Sequence, residues 1–101
     1  LPVHRRAIHH SYHLFVIQVP ERQRLRAALA DAGIATKIHY PIPIHLQPAA
    51  AHLGWAAGSL PVTEAQAQCI LSLPIHQYLS LDDIGTIADI VNRTLIPAIE
   101  A

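Results

Sequence analysis

Between Lys37 and Glu64 the chain runs through residues 38–63 without a single Asp, Glu, Lys or Arg, while four prolines and three histidines punctuate the stretch. A charge-free run of that length first suggests a transmembrane helix. A helix exposed to lipid must satisfy all of its backbone donors internally, and proline has no donor to offer. Pro41, Pro43, Pro48 and Pro61 therefore exclude a membrane span and leave a long, buried or pocket-lining connection. The chain must build regular elements on either side of this connection and pack them into a scaffold that carries it.

Those elements are legible in the flanks. Tyr12 to Val19 is rich in aromatic and β-branched residues, both alternating faces are largely apolar, and Pro20 ends it, as in a strand covered on both sides. Residues 21–32 switch to helical period. Leu25, Ala28, Leu29 and Ala32 share a stripe, and Arg22, Arg26 and Asp31 lie off it. Gly33 followed by Ile34 is a helix stop, with glycine in the left-handed conformation and Ile34 packing back.

Residues 34–40 alternate as a second strand, and Pro41 and Pro43 force an extended exit from it. Residues 47–53 form a short helix with Pro48 in its first turn, and Gly54 and Gly58 bracket Trp55 in a loop. Residues 61–69 read as a helix, with Thr63 and Gln66 at capping-box spacing, and residues 70–75 as a short apolar strand. Ser80 and Asp83 open a last helix with Ile84, Ile87, Ala88, Val91 and Leu95 on its apolar stripe. Pattern leaves the relative direction of the first two strands open.

At 101 residues and just over half apolar, the chain is one domain with patches that call for a partner. Seven basic residues balance seven acidic ones, so no field steers it to nucleic acid or to an anionic membrane. Arg5, Arg6, Arg22, Arg24 and Arg26 read as solvated positions. Cys69 is alone in a run that reads as buried, which excludes a disulfide framework and fits a reducing cytoplasm. No Met occurs, so the chain is expected to begin inside a longer protein.

Eight histidines are the loudest compositional signal. His9 and His13 would share a face on a helix and could grip zinc. In an extended chain they lie roughly 13 Å apart, too far for one ion, and the strand pattern beside them opposes a helix. A histidine-rich metal-binding module is thus a second reading. The cluster of His39, Tyr40, His45 and Gln47 is different. A strand ends in two polar rings, and a proline-stiffened loop then brings another imidazole. Rigid scaffolds aim loops of this kind at ligands, and imidazole and phenol both donate and accept hydrogen bonds, as hydroxyl-rich or phosphate-bearing ligands require. The same two rings could equally be satisfied core groups that cap the strand. Lys37, the only lysine, reads as snorkelling to solvent rather than as a Schiff-base amine, and Asp82 and Asp83 as favouring a helix N-terminus. His52 and His76 stand alone and read as surface residues.

Taken in order, Tyr12 to Ile17, Arg22 to Leu29, Gly33-Ile34, His39-Tyr40-Pro41, Pro43-Ile44-His45, Gln47, Gly58 to Glu64, and Leu71 to His76 before Leu79-Ser80 resemble the DegT/DnrJ/EryC1/StrS sugar aminotransferases. The resemblance implies that residues 1–101 are the C-terminal small domain of such an enzyme. The implied fold is α+β, a small and mainly antiparallel sheet with packed helices. It implies amino transfer from an amino acid, typically glutamate, to a nucleotide-linked keto-sugar. Pyridoxal 5'-phosphate would be held mainly by a large domain outside this chain, in a full-length homodimer. A sugar dehydratase, with histidine in place of the Schiff-base lysine, is the alternative within the family. Carried onto this chain, the resemblance makes His39, Tyr40 and His45 contacts to the sugar nucleotide, and it implies an isolated chain without activity. Ser59 and Gln77 stand where the family often has Asp and Pro, which bears on loop shape.

Overall fold

The computed structural model describes residues 1–96. Strand β1 (Phe15–Gln18) is followed by helix α1 (Arg22–Asp31), two short 3-10 turns (Ile44–Leu46 and Pro48–Leu53), helix α2 (Pro61–Cys69), strand β2 (Ile70–Leu73) and helix α3 (Leu81–Leu95). The domain is α+β, as expected.

β1 pairs antiparallel with β2, Ile17 opposite Leu71 and Val16 opposite Ser72. Residues 34–40 do not form the expected second strand. They run extended with the alternation read from sequence, Ile34, Thr36 and Ile38 half-buried and Ala35 and Lys37 exposed. Only Lys37 makes a bridge, exchanging both backbone bonds with Ser72 at 3.2 and 2.8 Å. Beyond that point the chain turns off toward Pro41, where no donor is available to continue a ladder. The bridge is antiparallel, so β2 lies between β1 and residues 34–40, which run parallel to each other on its two sides. α1 is thus the crossover of a split β-α-β unit, which settles the direction that pattern left open.

α1 and α3 cover the sheet. Ile17, Val19, Leu25, Leu29, Leu71 and Ile90 form the buried core, with Phe15, Ile34, Ile38, Leu73, Ile87, Val91 and Leu95 packed against it. Each fully buried aliphatic stabilises by about 1.5–3 kcal/mol. The stop of α1 is formed as read: Gly33 stands at φ +78°, its amide donates to Ala30 and that of Ile34 to Leu29, both at 2.9 Å. Ser80 and Asp83 make the reciprocal capping box of α3. Among the described residues no helix is long and apolar enough to cross a membrane.

Four local readings need correction. α3 turns Ile90 into the core and leaves Ile84 and Ala88 exposed, because α1 approaches on the other side of the stripe. No capping box joins Thr63 and Gln66; the N-cap of α2 is Leu60, and Glu64 takes up the loop amides instead. Cys69 is only half-buried, its Sγ 3.8 Å from Gln18 Oε1. Arg22 is not solvated. At 9% exposure it lies under α2, and Nη1 donates to the carbonyls of Ala67 (2.6 Å) and Ile70 (3.2 Å), where a helix C-terminus favours a cation.

Candidate functional site

The charge-free run becomes a loop that leaves the sheet edge, crosses the face of α2 and returns at its N-terminus. The site sits where it leaves. His39 is half-buried, and its Nδ1 shares a 2.8 Å hydrogen bond with Ser72 Oγ, so β2 fixes the ring. The His39–Tyr40 peptide is cis. Tyr40 is 62% exposed and meets His39 edge-on, with ring centroids 5.4 Å apart. Among the described residues neither the Tyr40 hydroxyl nor the His39 Nε2 has a hydrogen bond to protein.

The two rings border a cleft of about 220 Å³. Ile42, Pro43 and Ile44 complete its loop side, Thr63, Gln66 and Ala67 of α2 form the opposite wall, and Ile70 its floor. Two wider hollows flank α3, of about 500 and 660 Å³, but they carry one imidazole between them, His76, and no phenol. The cleft combines an apolar lining with a few convergent polar groups, as ligand sites do.

His45 does not line the cleft. It is 7% exposed, behind the loop, with Nε2 2.7 Å from Glu64 Oε1. A carboxylate only accepts, so with Glu64 ionised Nε2 carries the proton. Both Glu64 oxygens also accept from the Gly58 amide, at 2.8 and 2.9 Å, and Oε1 accepts from Leu60 at 3.4 Å. The His45 bond first and then the Gly58 amide hold the Glu64 carboxyl below its ordinary 4.5, against a smaller opposing effect of burial, and the Leu60 amide adds less. Sequence reasoning missed Glu64. The available signal was its position as the first charge after an uncharged run that carries three histidines.

The structure therefore brings His39 and Tyr40 to one edge and sets His45 behind it. Lys37 is exposed on the sheet edge and outside the cleft. The cleft lining offers no amine to form a Schiff base and no carboxylate to face a pyridine nitrogen, so these residues do not by themselves fit pyridoxal 5'-phosphate. Ser59, one of the departures noted above, closes its own turn by donating to the Ala56 carbonyl and accepting from the Ala56 amide.

Comparison with known proteins shows what this chain is similar to. The chain is 51% identical over 70 residues to the erythromycin biosynthesis sensory transduction protein EryC1 of Saccharopolyspora erythraea, which covers 69% of this chain and 19% of that protein. It is 41% identical over 95 residues to UDP-N-acetyl-3-dehydro-alpha-D-glucosamine 3-aminotransferase of Acidithiobacillus ferrooxidans, covering 94% of this chain and 25% of the relative. Its fold superposes on DesV of S. venezuelae, solved with a ketimine intermediate, at a TM-score of 0.77 and 40% identity, over 81% of this chain and 22% of that one. The chain thus spans about a fifth to a quarter of the relatives' length. Residues 1–92 match the sequence model of the DegT/DnrJ/EryC1/StrS aminotransferase family, and the chain belongs to that family.

Proposed function

We propose that the chain is the C-terminal small domain of a pyridoxal 5'-phosphate-dependent sugar aminotransferase and that its Tyr40 edge contacts the nucleotide-linked keto-sugar. The carrying observation is the pairing of an exposed phenol with a sheet-anchored imidazole at the mouth of an apolar cleft. Ser72 fixes the His39 ring, so little side-chain freedom is lost when a hydroxyl or phosphate oxygen binds beside it. Tyr40 offers a donor and an acceptor next to apolar Ile42 and Ile44, which suits a sugar ring with one polar and one less polar face. His45 serves the same contact from behind, by holding the loop.

The cofactor, when bound, supplies the electron sink for amino transfer. In this reading the rest of the enzyme binds it, and this domain orients the sugar. The surface supports the need for further protein. The chain exposes 7843 Å², against about 5,700 Å² for a compact chain of this mass. Ile42, Ile44, Trp55 and Val62 are all among its exposed apolar side chains. Glutamate as donor and a homodimeric enzyme belong to the same proposal, and family membership supports them.

The test is a comparison of the two half-reactions in the full-length enzyme. Tyr40→Phe and His39→Ala should weaken use of the sugar nucleotide, by about 2- to 12-fold for one neutral hydrogen bond, and leave the amino-donor half-reaction near wild type. Equal losses in both half-reactions would assign the two rings a structural role instead.

A further inference from the structure

The exposed arc of residues 40–44 is held at both ends, by two different anchors. At its start His39 is tied to Ser72 of the sheet. At its end His45 is tied to Glu64, in the first turn of α2. The bonds within the arc and its return are local: Gln47 Nε2 to the Ile42 carbonyl, the Leu46 amide to Pro43 and the Gln47 amide to Ile44. They give the arc a shape and leave open where it stands over α2. Pro41 and Pro43 limit its conformations in the same local way.

Glu64 supplies what those bonds cannot. Its carboxylate gathers the Nε2–H of His45 and the amides of Gly58 and Leu60, so the outgoing arm of the loop, the returning arm and α2 meet at one group. We propose that Glu64 is a positioning residue for the sugar nucleotide: through His45 it fixes where Tyr40 stands over the cleft. The inference rests on the reading that Tyr40 contacts that ligand. Oε1 accepts from all three donors and Oε2 from the Gly58 amide alone, so a glutamine oxygen could keep the link and only a side chain without an acceptor breaks it.

Equilibrium titration of the full-length enzyme with UDP-glucose and dTDP-glucose tests this, together with the rate of the amino-donor half-reaction. Glu64→Leu and His45→Phe, which remove the acceptor and the donor of this link, should each weaken binding of the probe that wild type takes by about tenfold, as displacement of a contact group does, with the donor half-reaction kept within about twofold. The double variant should bind no more than about twofold worse than the weaker single, because both changes break one link. Unchanged binding, additive losses, or an equal fall in the donor half-reaction would overturn the proposal. Should Glu64→Leu fail to fold, His45→Phe decides alone: weaker probe binding with an intact donor half-reaction supports it, and unaltered binding overturns it. Binding that Tyr40→Phe weakens and Glu64→Leu does not sinks the positioning role only. Wild-type enzyme that takes neither probe overturns the nucleotide-sugar reading and this inference with it.

Discussion

Replacing Arg22 by methionine tests how a helix N-terminus can hold a helix C-terminus 45 residues away. Methionine keeps the apolar stem and removes the guanidinium. The loss is the short charge-assisted bond to Ala67 (2.6 Å) and the longer one to Ile70 (3.2 Å). Hydrogen bonds to charged groups contribute about 1.5–3 kcal/mol, so the two together are worth about 2–4, the longer one counting least. There is a compensation: Arg22 Nε is buried with no partner, and removing such a donor returns about 1 kcal/mol. The expected net loss is about 1–3 kcal/mol. With a urea slope of about 1–1.5 kcal/mol/M, the unfolding midpoint should fall by roughly 1–2 M. Arg22→Lys keeps the charge on a differently shaped head and should recover less than half of the loss, because one ammonium does not reproduce the guanidinium geometry. A methionine variant as stable as wild type would refute the reasoning. It would mean that desolvating the cation offsets both bonds and that packing alone fixes the end of α2.

Three smaller perturbations follow from the same structure. Ser80→Ala removes the acceptor of the Asp83 amide and one half of the capping box, and should cost about 1 kcal/mol in chemical denaturation, with loss of helical signal confined to the start of α3. Gly33→Ala meets no atom within 4 Å, so its effect is conformational, about 1 kcal/mol at φ +78°, and Gly33→Asn should cost less; equal costs would point to hidden crowding. The carboxyls of Glu64, through His45 and the Gly58 amide, and of Asp83, through Ser80 with His76 adding a smaller share, both lie below their ordinary 4.5 and 3.8. The unfolded chain therefore binds more protons in that range, and stability present above pH 4.5 is lost as pH falls through the lowered folded values. Glu64→Gln should flatten this decline in urea midpoints measured from pH 6 to 3, and a decline as steep as wild type would show that Glu64 does not contribute to it.

Elements specified by neighbouring residues could be read directly. α1 with its glycine stop, and α3 with Ser80 and Asp83, depend on contacts three to five residues away, and their signals survive intact in the structure. What depended on distant chain was not legible. The alternation of residues 34–40 revealed which side chains face inward. It could not reveal that β2, more than thirty residues later, would insert beside them and take only the Lys37 bridge. Arg22 has polar neighbours and the local look of a solvated residue; its acceptors arrive from α2. The site divides in the same way. His39 and Tyr40 could be picked out as candidates because the prolines mark a turn where an extended segment leaves the sheet edge. Glu64 is also the N-terminal acid any helix might carry, and only the fold gives it His45.

The buried polar residues among those described share one task. Arg22, His45 and Ser72 each tie a stretch without a ladder to a regular element: the end of α2 to α1, the outgoing loop to α2, the edge segment to β2. A long irregular connection has few backbone partners of its own, and its buried groups must find acceptors or donors elsewhere. Side chains provide them here, at positions where an apolar residue would bury more surface and hold nothing in place. The same connection turns Tyr40, Ile42, Ile44 and Trp55 outward. Burying an imidazole while exposing isoleucine inverts the usual preference, and a loop selected for stability alone would have the opposite pattern. The inversion makes sense when the outward side chains are to be covered by ligand or by further protein, and the inward ones only fix where that cover is met.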